Sequence, residues 1–331
     1  MLRISKVAFP GLGIGEFEVN SVAFTIFGMD IAWYALIITF GMVCCFFYVV
    51  SQAKKIGVTM DDVIDYALFT IPSGVVGARL YYVLTSLDRF HSLADVFNIR
   101  QGGLAIYGGI IAGTLAVVGV SYFKKIRFFA FGDCVAPGVL LAQGIGRWGN
   151  FMNGEAYGGL YDGFLRMGLF GINTWNDDSL IEAGADVTQM VYVHPTFLYE
   201  SLWNFAGVIL VYLFAKFIGK KYDGQLILLT FGWYGLGRMF IEGLRTDSLY
   251  LGDTGIRVSQ LLAAIIFFTF LAMLIFFAIR KPKIGLYVKP APVQESADKV
   301  AEKNDIFSKF KSLFHSKKSS AEDDEHKDCE K

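Results

Sequence analysis

Polar and charged side chains inside apolar segments are the residues of this chain whose types and spacing suit chemistry. The clearest group is the run GIGRWGNFMNGEAYGG, residues 144–159, which ends an apolar segment of membrane-spanning length. It contains four such side chains: Arg147, Asn150, Asn153 and Glu155. Because a charge at the centre of a membrane helix costs about 2.5 to 3.5 kcal/mol on insertion scales, such an arginine normally faces a polar cavity or a partner. The glycines of the run would let a ligand or another backbone come close, so Arg147 is a candidate for holding an anion.

The segment YGLGRMFIEGLR places four polar residues on one side of a predicted helix. Tyr234, Arg238 and Glu242 follow one another at intervals of four residues, and Arg245 comes three residues later. Residues at these spacings share a helical face. A self-neutralised stripe facing the interior of a helix bundle is the structural alternative. Two arginines and one glutamate leave an unmatched positive charge, however, and together with Arg147 this is the balance that a phosphate site needs.

The string HPTFLYES begins another apolar segment and carries a buried carboxylate. Pro195 suits the first helical position, which places His194 at the N-cap. Glu200 then lies nearly two turns inside the membrane, where an arginine on another helix would keep it charged. A structural ion pair for Glu200 and a simple cap for His194 are the alternatives.

For other polar residues at the helix ends, a purely structural role explains the residue about as well as a role in binding or catalysis. Arg79 could lie at a helix end and extend its side chain outward to the membrane interface. The same explanation suits Arg147 less well. Tyr107, before a glycine pair, and Tyr34, at the start of the first apolar segment, suit an interfacial aromatic belt. Asp133 suits a favourable interaction with the positive end of a helix dipole.

Long apolar helices are the elements that must position these residues. Of the 331 residues 54% are hydrophobic, and seven segments approach the roughly 20 residues that cross a hydrocarbon core. The seven predicted spans are residues 31–51, 63–84, 104–123, 128–152, 195–217, 226–244 and 258–279. The sequence therefore predicts an all-α integral membrane protein in which residues 1–283 form a bundle of about seven transmembrane helices.

Lysine and arginine clusters follow the first, third, fifth and seventh predicted spans. Four clusters fall on one side of the membrane only if there are seven spans, and that side is expected to be cytoplasmic. The N-terminus is then outside, and the unusual polar groups lie toward the outer leaflet. The connection 153–193 is predicted to form a small extracytoplasmic cap. Residues 284–331 are polar and charged, which predicts a disordered cytoplasmic tail.

Composition and motifs exclude some classes of function and leave others open. Thirty basic and thirty acidic residues give no electrostatic case for nucleic acid. No spacing of Cys and His indicates a metal, and no cofactor is implied. A membrane transporter or channel for a small anion would also explain embedded arginines. It needs polar groups along a whole path, however, whereas the inner halves of the third, fifth and seventh spans are almost purely apolar. A membrane scaffold offers no reason for the arginine-bearing faces.

Three strings, GRWGNFMNGE, HPTFLYE and YGLGRMFIEGLR, occur in an order that resembles the bacterial prolipoprotein diacylglyceryl transferases. The resemblance covers about residues 33–280. It implies a multi-pass protein of the bacterial cell membrane that moves the diacylglyceryl group of phosphatidylglycerol to the lipobox cysteine thiol of a preprolipoprotein. A thioether would form and glycerol phosphate would leave, in the first step of lipoprotein maturation.

The resemblance also implies roles for individual residues. Arg147 and Arg238 would be the principal phosphate and leaving-group residues, and Glu242 would orient Arg238. Tyr107 is a departure, because many members have a histidine there that has been a candidate general base. Tyrosine titrates well above a thiol and is a poor base for it, unless nearby arginines lower its pKa. Tyr107 is therefore expected among the catalytic residues in a secondary role. The alternative is that Tyr107 only forms a hydrogen bond and that a phosphate oxygen of the substrate, another side chain or water takes the proton. The expected substrate-binding residues are Arg147, Asn150, Asn153, Glu155, Gly158, Tyr34, His194, Glu200, Tyr234, Arg245 and Arg79.

Overall fold

The computed structural model of the chain describes residues 4–87, 90, 92–98, 102–175, 177–246 and 257–280. The α-helices of this part of the chain are α1 (Trp33–Ala53), α2 (Met60–Thr85), α3 (Leu93–Phe97), α4 (Ile106–Lys124), α5 (Phe128–Asn153), α6 (Ile172–Trp175), α7 (Asp178–Glu182), α8 (Thr196–Leu213), α9 (Gln225–Ile241) and α10 (Val258–Arg280). The strands are β1 (Ile4–Phe9), β2 (Ile14–Asn20), β3 (Val22–Ile26), β4 (Met29–Ala32), β5 (Met167–Phe170) and β6 (Val191–Val193). The predicted tail, residues 284–331, lies outside the described residues.

The long helices confirm the prediction of a multi-pass, helical membrane protein. Each of the seven predicted spans has its helix, and each helix begins within a few residues of the predicted start. Within the described residues, six are long and apolar enough to cross a membrane by length and composition: α1, α2, α4, α5, α8 and α10. The remaining one, α9, has 17 α-helical residues and continues through a 3-10 turn, Glu242–Leu244. The two together extend about 30 Å, which is the thickness of a hydrocarbon core.

Helix α5 is the centre of the bundle, since it packs against α1, α8 and α9. Helices α2 and α4 form a separate close pair. A Cβ atom added to Gly77 would lie 2.6 Å from the carbonyl oxygen of Gly108, and one added to Gly108 would lie 2.3 Å from that of Gly77. Only glycine permits such contact between two helix backbones. The α2–α4 pair is therefore built on small residues, while α5 carries the polar ones.

A small β-structured cap covers the end of the bundle where α5 ends and α8 begins. Its four-stranded antiparallel sheet has the order β2-β1-β5-β6. The cap core includes Val7, Leu169 and Val193, and it packs on Phe151 of α5 and Phe197 of α8. The N-terminal strands β1 and β2 thus complete a sheet to which the connection 153–193 contributes only β5 and β6. These N-terminal strands were not predicted from the sequence.

Asp133 on α5 holds the opposite end of the bundle together by capping α9. Its Oδ1 accepts hydrogen bonds from the backbone N–H groups of Leu226 and Ile227 at 2.9 and 3.0 Å. Its Oδ2 accepts from the N–H of Gly224 at 2.9 Å and pairs with Lys220 at 3.2 Å. These N–H groups are among those that a helix start leaves without an internal partner. Asp133 therefore interacts with the positive end of a neighbouring helix, α9.

Replacing Asp133 with alanine should destabilise the bundle. The change removes the acceptor for three backbone N–H groups and leaves Lys220 with one carboxylate fewer in a buried setting, at an expected cost of about 3 kcal/mol. Thermal unfolding in detergent micelles would show a clear fall in the midpoint temperature. Asp162→Ala is the matched control, because that carboxylate is 90% exposed and, in the described part of the chain, pairs with Arg166 on the surface. Equal midpoints for the two variants would contradict the capping role of Asp133.

Candidate active site

Three arginines from different elements converge on one buried carboxylate, Glu200 of α8. Arg147 Nη2, from α5, lies 2.6 Å from Glu200 Oε2, and Arg238 Nη1, from α9, lies 2.8 Å from Oε1. Arg245, in the extended segment after the 3-10 turn, brings its Nη1 to 3.3 Å from Oε1. Glu200 is 4% exposed. The polar residues of three separate sequence segments therefore form one arginine cluster, defined here as Arg147, Glu200, Arg238, Glu242 and Arg245.

Glu242 supplies the second carboxylate of the arginine cluster. Its Oε2 lies 2.5 Å from Arg238 Nη2 and 4.0 Å from Arg245 Nε. Three guanidinium groups and two carboxylates leave one net positive charge in a buried site, where attraction for an anion is stronger than in water. Arg147 Nε is buried and has no hydrogen-bond partner within the described part of the chain. The cluster thus has both the charge and an unused donor that an incoming anion would require.

A network of amides extends from Arg147 to Glu155, beyond the end of α5. Arg147 Nη1 lies 3.4 Å from Asn150 Oδ1, and the Asn150 amide donates to Glu155 Oε1 at 3.1 Å. Asn153 donates to the same carboxylate oxygen at 3.1 Å. The ring of Tyr34 lies against Gly149, where an added Cβ would come within 2.9 Å of it. Tyr34, at the start of α1, therefore lines the same end of α5 as Arg147.

Gly158 joins the cap to the arginine cluster. Its N–H donates to the carbonyl of His194 at 2.9 Å, and the N–H of Gly159 donates to that of Leu244 at 2.9 Å. An added Cβ at Gly158 would lie 2.6 Å from the Leu244 carbonyl oxygen. Since Arg245 follows Leu244 directly and pairs with Gly158 in a β-bridge, this contact places Arg245 next to Glu200. Glycine is required at 158 because the two backbones touch.

The prediction that His194 caps α8 is wrong. The helix begins at Thr196 with Pro195 as its N-cap residue, and no side chain caps it. The His194 ring instead stacks on Tyr161 at 3.9 Å and lies 3.4 Å from the Tyr199 hydroxyl through Nδ1. Burial lowers the pKa of His194, so the neutral imidazole is favoured at neutral pH. His194 therefore packs between the cap and α8.

The chain is similar in sequence to proteins of one known family. Residues 21–276 match the sequence profile of the family described as prolipoprotein diacylglyceryl transferase. The chain belongs to this family. It is 42% identical over 248 residues to the phosphatidylglycerol–prolipoprotein diacylglyceryl transferase of Clostridioides difficile strain 630, covering 75% of this chain and 91% of that protein. It is 41% identical over 271 residues to the protein of the same name from Enterococcus faecalis V583, covering 82% and 94%.

In this member of the prolipoprotein diacylglyceryl transferase family, Arg79 lies apart from the arginine cluster. All five of its N–H groups have a backbone carbonyl as acceptor: Val96, Gly102, Gly103, Asp95 and Asn98, at 2.6 to 3.2 Å. The guanidinium also lies over the Phe90 ring at 5.1 Å. Arg79 thus organises the connection between α2 and α4, and its expected contact with substrate finds no support in this geometry.

Tyr107 and Tyr234, the two other predicted tyrosines, have different surroundings. Tyr107, in the first turn of α4, is 41% exposed, and its described ring contact is with Tyr81 of α2 at 6.5 Å. Tyr234 lies one helical turn before Arg238 and within electrostatic range of Arg147. Tyr234 therefore lies on the helix that carries Arg238, whereas Tyr107 lies on the α2–α4 pair.

Several polar residues that support the site of this family member were not selected from its sequence. Ser201 accepts a hydrogen bond from Trp148 at 3.1 Å and donates to the Gly144 carbonyl at 2.8 Å. Asn204 donates to Gln143 at 3.2 Å. These contacts fasten α8 to α5 in the helical turn that follows Glu200. The signal that would have found them is the polar spacing of residues 200, 201 and 204 within an otherwise apolar helix.

Proposed function

We propose that this protein transfers the diacylglyceryl group of phosphatidylglycerol to the lipobox cysteine thiol of a preprolipoprotein. The observation that carries this proposal is the buried arginine cluster with one net positive charge in a membrane-spanning bundle. A phospholipid phosphate is the anion that reaches such a site from the bilayer. Family membership and the names of the relatives support the same substrates.

The reaction replaces a carbon–oxygen bond with a carbon–sulfur bond and moves one proton. The sulfur of the cysteine forms a bond to the glycerol carbon of the diacylglyceryl group, and the bond from that carbon to the phosphate oxygen breaks. The product is a thioether, and glycerol phosphate leaves. The proton of the thiol passes to the departing phosphate oxygen, which gains negative charge as the carbon–oxygen bond breaks.

The arginine cluster suits this chemistry because negative charge develops on the departing phosphate oxygen before the thiol proton reaches it. A guanidinium at the phosphate gains attraction as that charge develops, so it stabilises the transition state more than the bound lipid. We assign this role to Arg147 and Arg238. Glu242 orients Arg238 through their 2.5 Å ion pair, and Glu200 keeps the three arginines together until the lipid arrives.

The position of the arginine cluster suits a site that opens toward one leaflet. The cluster lies where α5 and α9 end and α8 begins, next to the cap. The charge clusters of the sequence assign this end to the outside, with the N-terminus outside and the C-terminus cytoplasmic. The preprolipoprotein is held in the bilayer by its own apolar signal helix. We therefore propose that it enters sideways from the outer leaflet.

The decisive experiment uses purified protein, vesicles containing phosphatidylglycerol and a synthetic peptide with a lipobox cysteine. Mass spectrometry should show the peptide gaining one diacylglyceryl unit, with glycerol phosphate released in equal amount. A peptide with serine in place of the cysteine is the matched control and should gain nothing. The assignment would be overturned if the cysteine peptide stayed unmodified. It would also be overturned if the peptide were modified with cardiolipin as the donor but not with phosphatidylglycerol. Passage of phosphate across the vesicle membrane, without modification of the peptide, would favour an anion transporter.

A further inference from the structure

A β-hairpin with an exposed apolar tip is attached directly to the first membrane-spanning helix. Strand β3 (Val22–Ile26) pairs antiparallel with β4 (Met29–Ala32), and α1 begins at the next residue, Trp33. The Trp33 N–H donates to the carbonyl of Ser21 at 2.9 Å. This hydrogen bond fastens the start of β3 to the start of α1. Both ends of the hairpin are therefore fixed at the start of a helix long and apolar enough to cross a membrane.

The hairpin has one apolar face and one polar face. Residues directly opposite in an antiparallel pair project to the same side. Phe24 pairs with Ile31 and Ile26 with Met29, which makes one side apolar. Thr25 pairs with Asp30 between them, and the Thr25 hydroxyl donates to the Asp30 carboxylate at 2.7 Å. Phe24 and Met29 are 46% and 54% exposed, so the apolar face lacks the cover that a soluble protein would give it.

The turn of the hairpin carries the most exposed large apolar side chain described. Phe27 is 97% exposed and has φ of 51°, and Gly28 follows with φ of 76°. Two positive φ angles define the two-residue type I′ turn, for which asparagine and glycine are the favoured residues. A bulky side chain at positive φ is strained. Phenylalanine here is thus unfavourable both for the backbone and for contact with water, and a surrounding of lipid removes the second cost.

We propose that this hairpin lies in the bilayer interface with its apolar face and Phe27 in the boundary between headgroups and acyl chains. Lipid is the occupant that the position selects, because β4 runs into α1 without a linker and Trp33 and Tyr34 begin that helix as interfacial aromatic residues do. Tyr34 lies against Gly149 of α5, two residues from Arg147. The inserted hairpin therefore sits in the leaflet directly beside the end of α5 that carries the arginine cluster.

The insertion can be measured with a fluorescent probe in the full-length protein. The native cysteines are first replaced by alanine, and single cysteines are introduced as Phe27→Cys, Met29→Cys, Thr25→Cys and Phe164→Cys for labelling with nitrobenzoxadiazole. Each protein is reconstituted in phosphatidylcholine–phosphatidylglycerol vesicles, with and without lipids that carry a nitroxide near the headgroup. Phe164 is the matched control, since it is 68% exposed on the loop before β5.

Probes at positions 27 and 29 should emit at shorter wavelength than the probe at position 164. Nitroxide lipids should quench them several-fold more strongly, and the probe at position 25 should fall between. Two positions on the apolar surface keep the test valid if one variant does not fold. The proposal would be overturned if the probes at positions 27 and 29 emitted at the same wavelength as the probe at position 164 and if aqueous iodide quenched all three equally. Short-wavelength emission without quenching by nitroxide lipids would also overturn it, since a protein would then cover the hairpin.

Discussion

Arg147→Ala is expected to lower the rate of diacylglyceryl transfer by at least about 10³-fold, as the loss of a guanidinium that stabilises charge in a phosphate transition state does elsewhere. The side chain is buried among Glu200, Arg238 and Arg245, and its Nε has no hydrogen-bond partner among the described residues. Removing it takes away the net positive charge of the arginine cluster. Arg147→Lys keeps that charge and loses the planar fork of donors, so an intermediate rate is expected. Peptide modification would be followed by mass spectrometry, with thermal unfolding as a check on folding.

Tyr107→Phe is the control variant for Arg147→Ala. The described ring contact of Tyr107 is with Tyr81 rather than with the arginine cluster. We expect the phenylalanine variant to keep measurable transferase activity. Equal loss of activity in Arg147→Ala and Tyr107→Phe would refute the view that Tyr107 is a secondary residue.

Glu200→Gln is expected to lower kcat by about 10²-fold, the effect of misplacing catalytic groups by an ångström or so. Glutamine has the same shape, but it lacks the charge that holds Arg147, Arg238 and Arg245 within 2.6 to 3.3 Å of one carboxylate. The net charge of the cluster rises by one, so binding of the lipid phosphate should not weaken. We therefore expect KM for phosphatidylglycerol to fall while kcat drops.

The split between kcat and KM separates this role from a purely structural one. A variant that only unfolds more easily would lose active protein without changing KM. Ser201→Ala is the matched control, because Ser201 is the next residue of α8, is equally buried and has its described hydrogen bonds with Trp148 and Gly144. It should keep most of the activity. A rise in KM for Glu200→Gln, with kcat unchanged, would show that Glu200 contacts the substrate instead of positioning the arginines.

The helices of this protein can be predicted from its sequence because hydropathy and length are local properties. Segments 128–152 and 258–279 are predicted within one residue of α5 and α10. The helical period also places Tyr234, Arg238 and Glu242 on one face without any knowledge of neighbours. The strands β1 and β2 could not be assigned in this way. They are short, and β1 pairs with β5 across some 160 residues of chain, a contact that no local pattern reports.

The arrangement of charges was decided by the tertiary structure alone. Sequence determined that Arg79, Arg147, Arg238, Arg245 and Glu200 lie in or at the ends of apolar helices, and that positive charge exceeds negative charge among them. It did not determine which of them meet. Arg147, Arg238 and Arg245 share Glu200 because α5, α8 and α9 are neighbours, whereas Arg79 lies on the α2–α4 pair and donates to backbone carbonyls. A side chain's partner depends on which helices pack together and how each is rotated about its axis, and these are properties of the whole bundle.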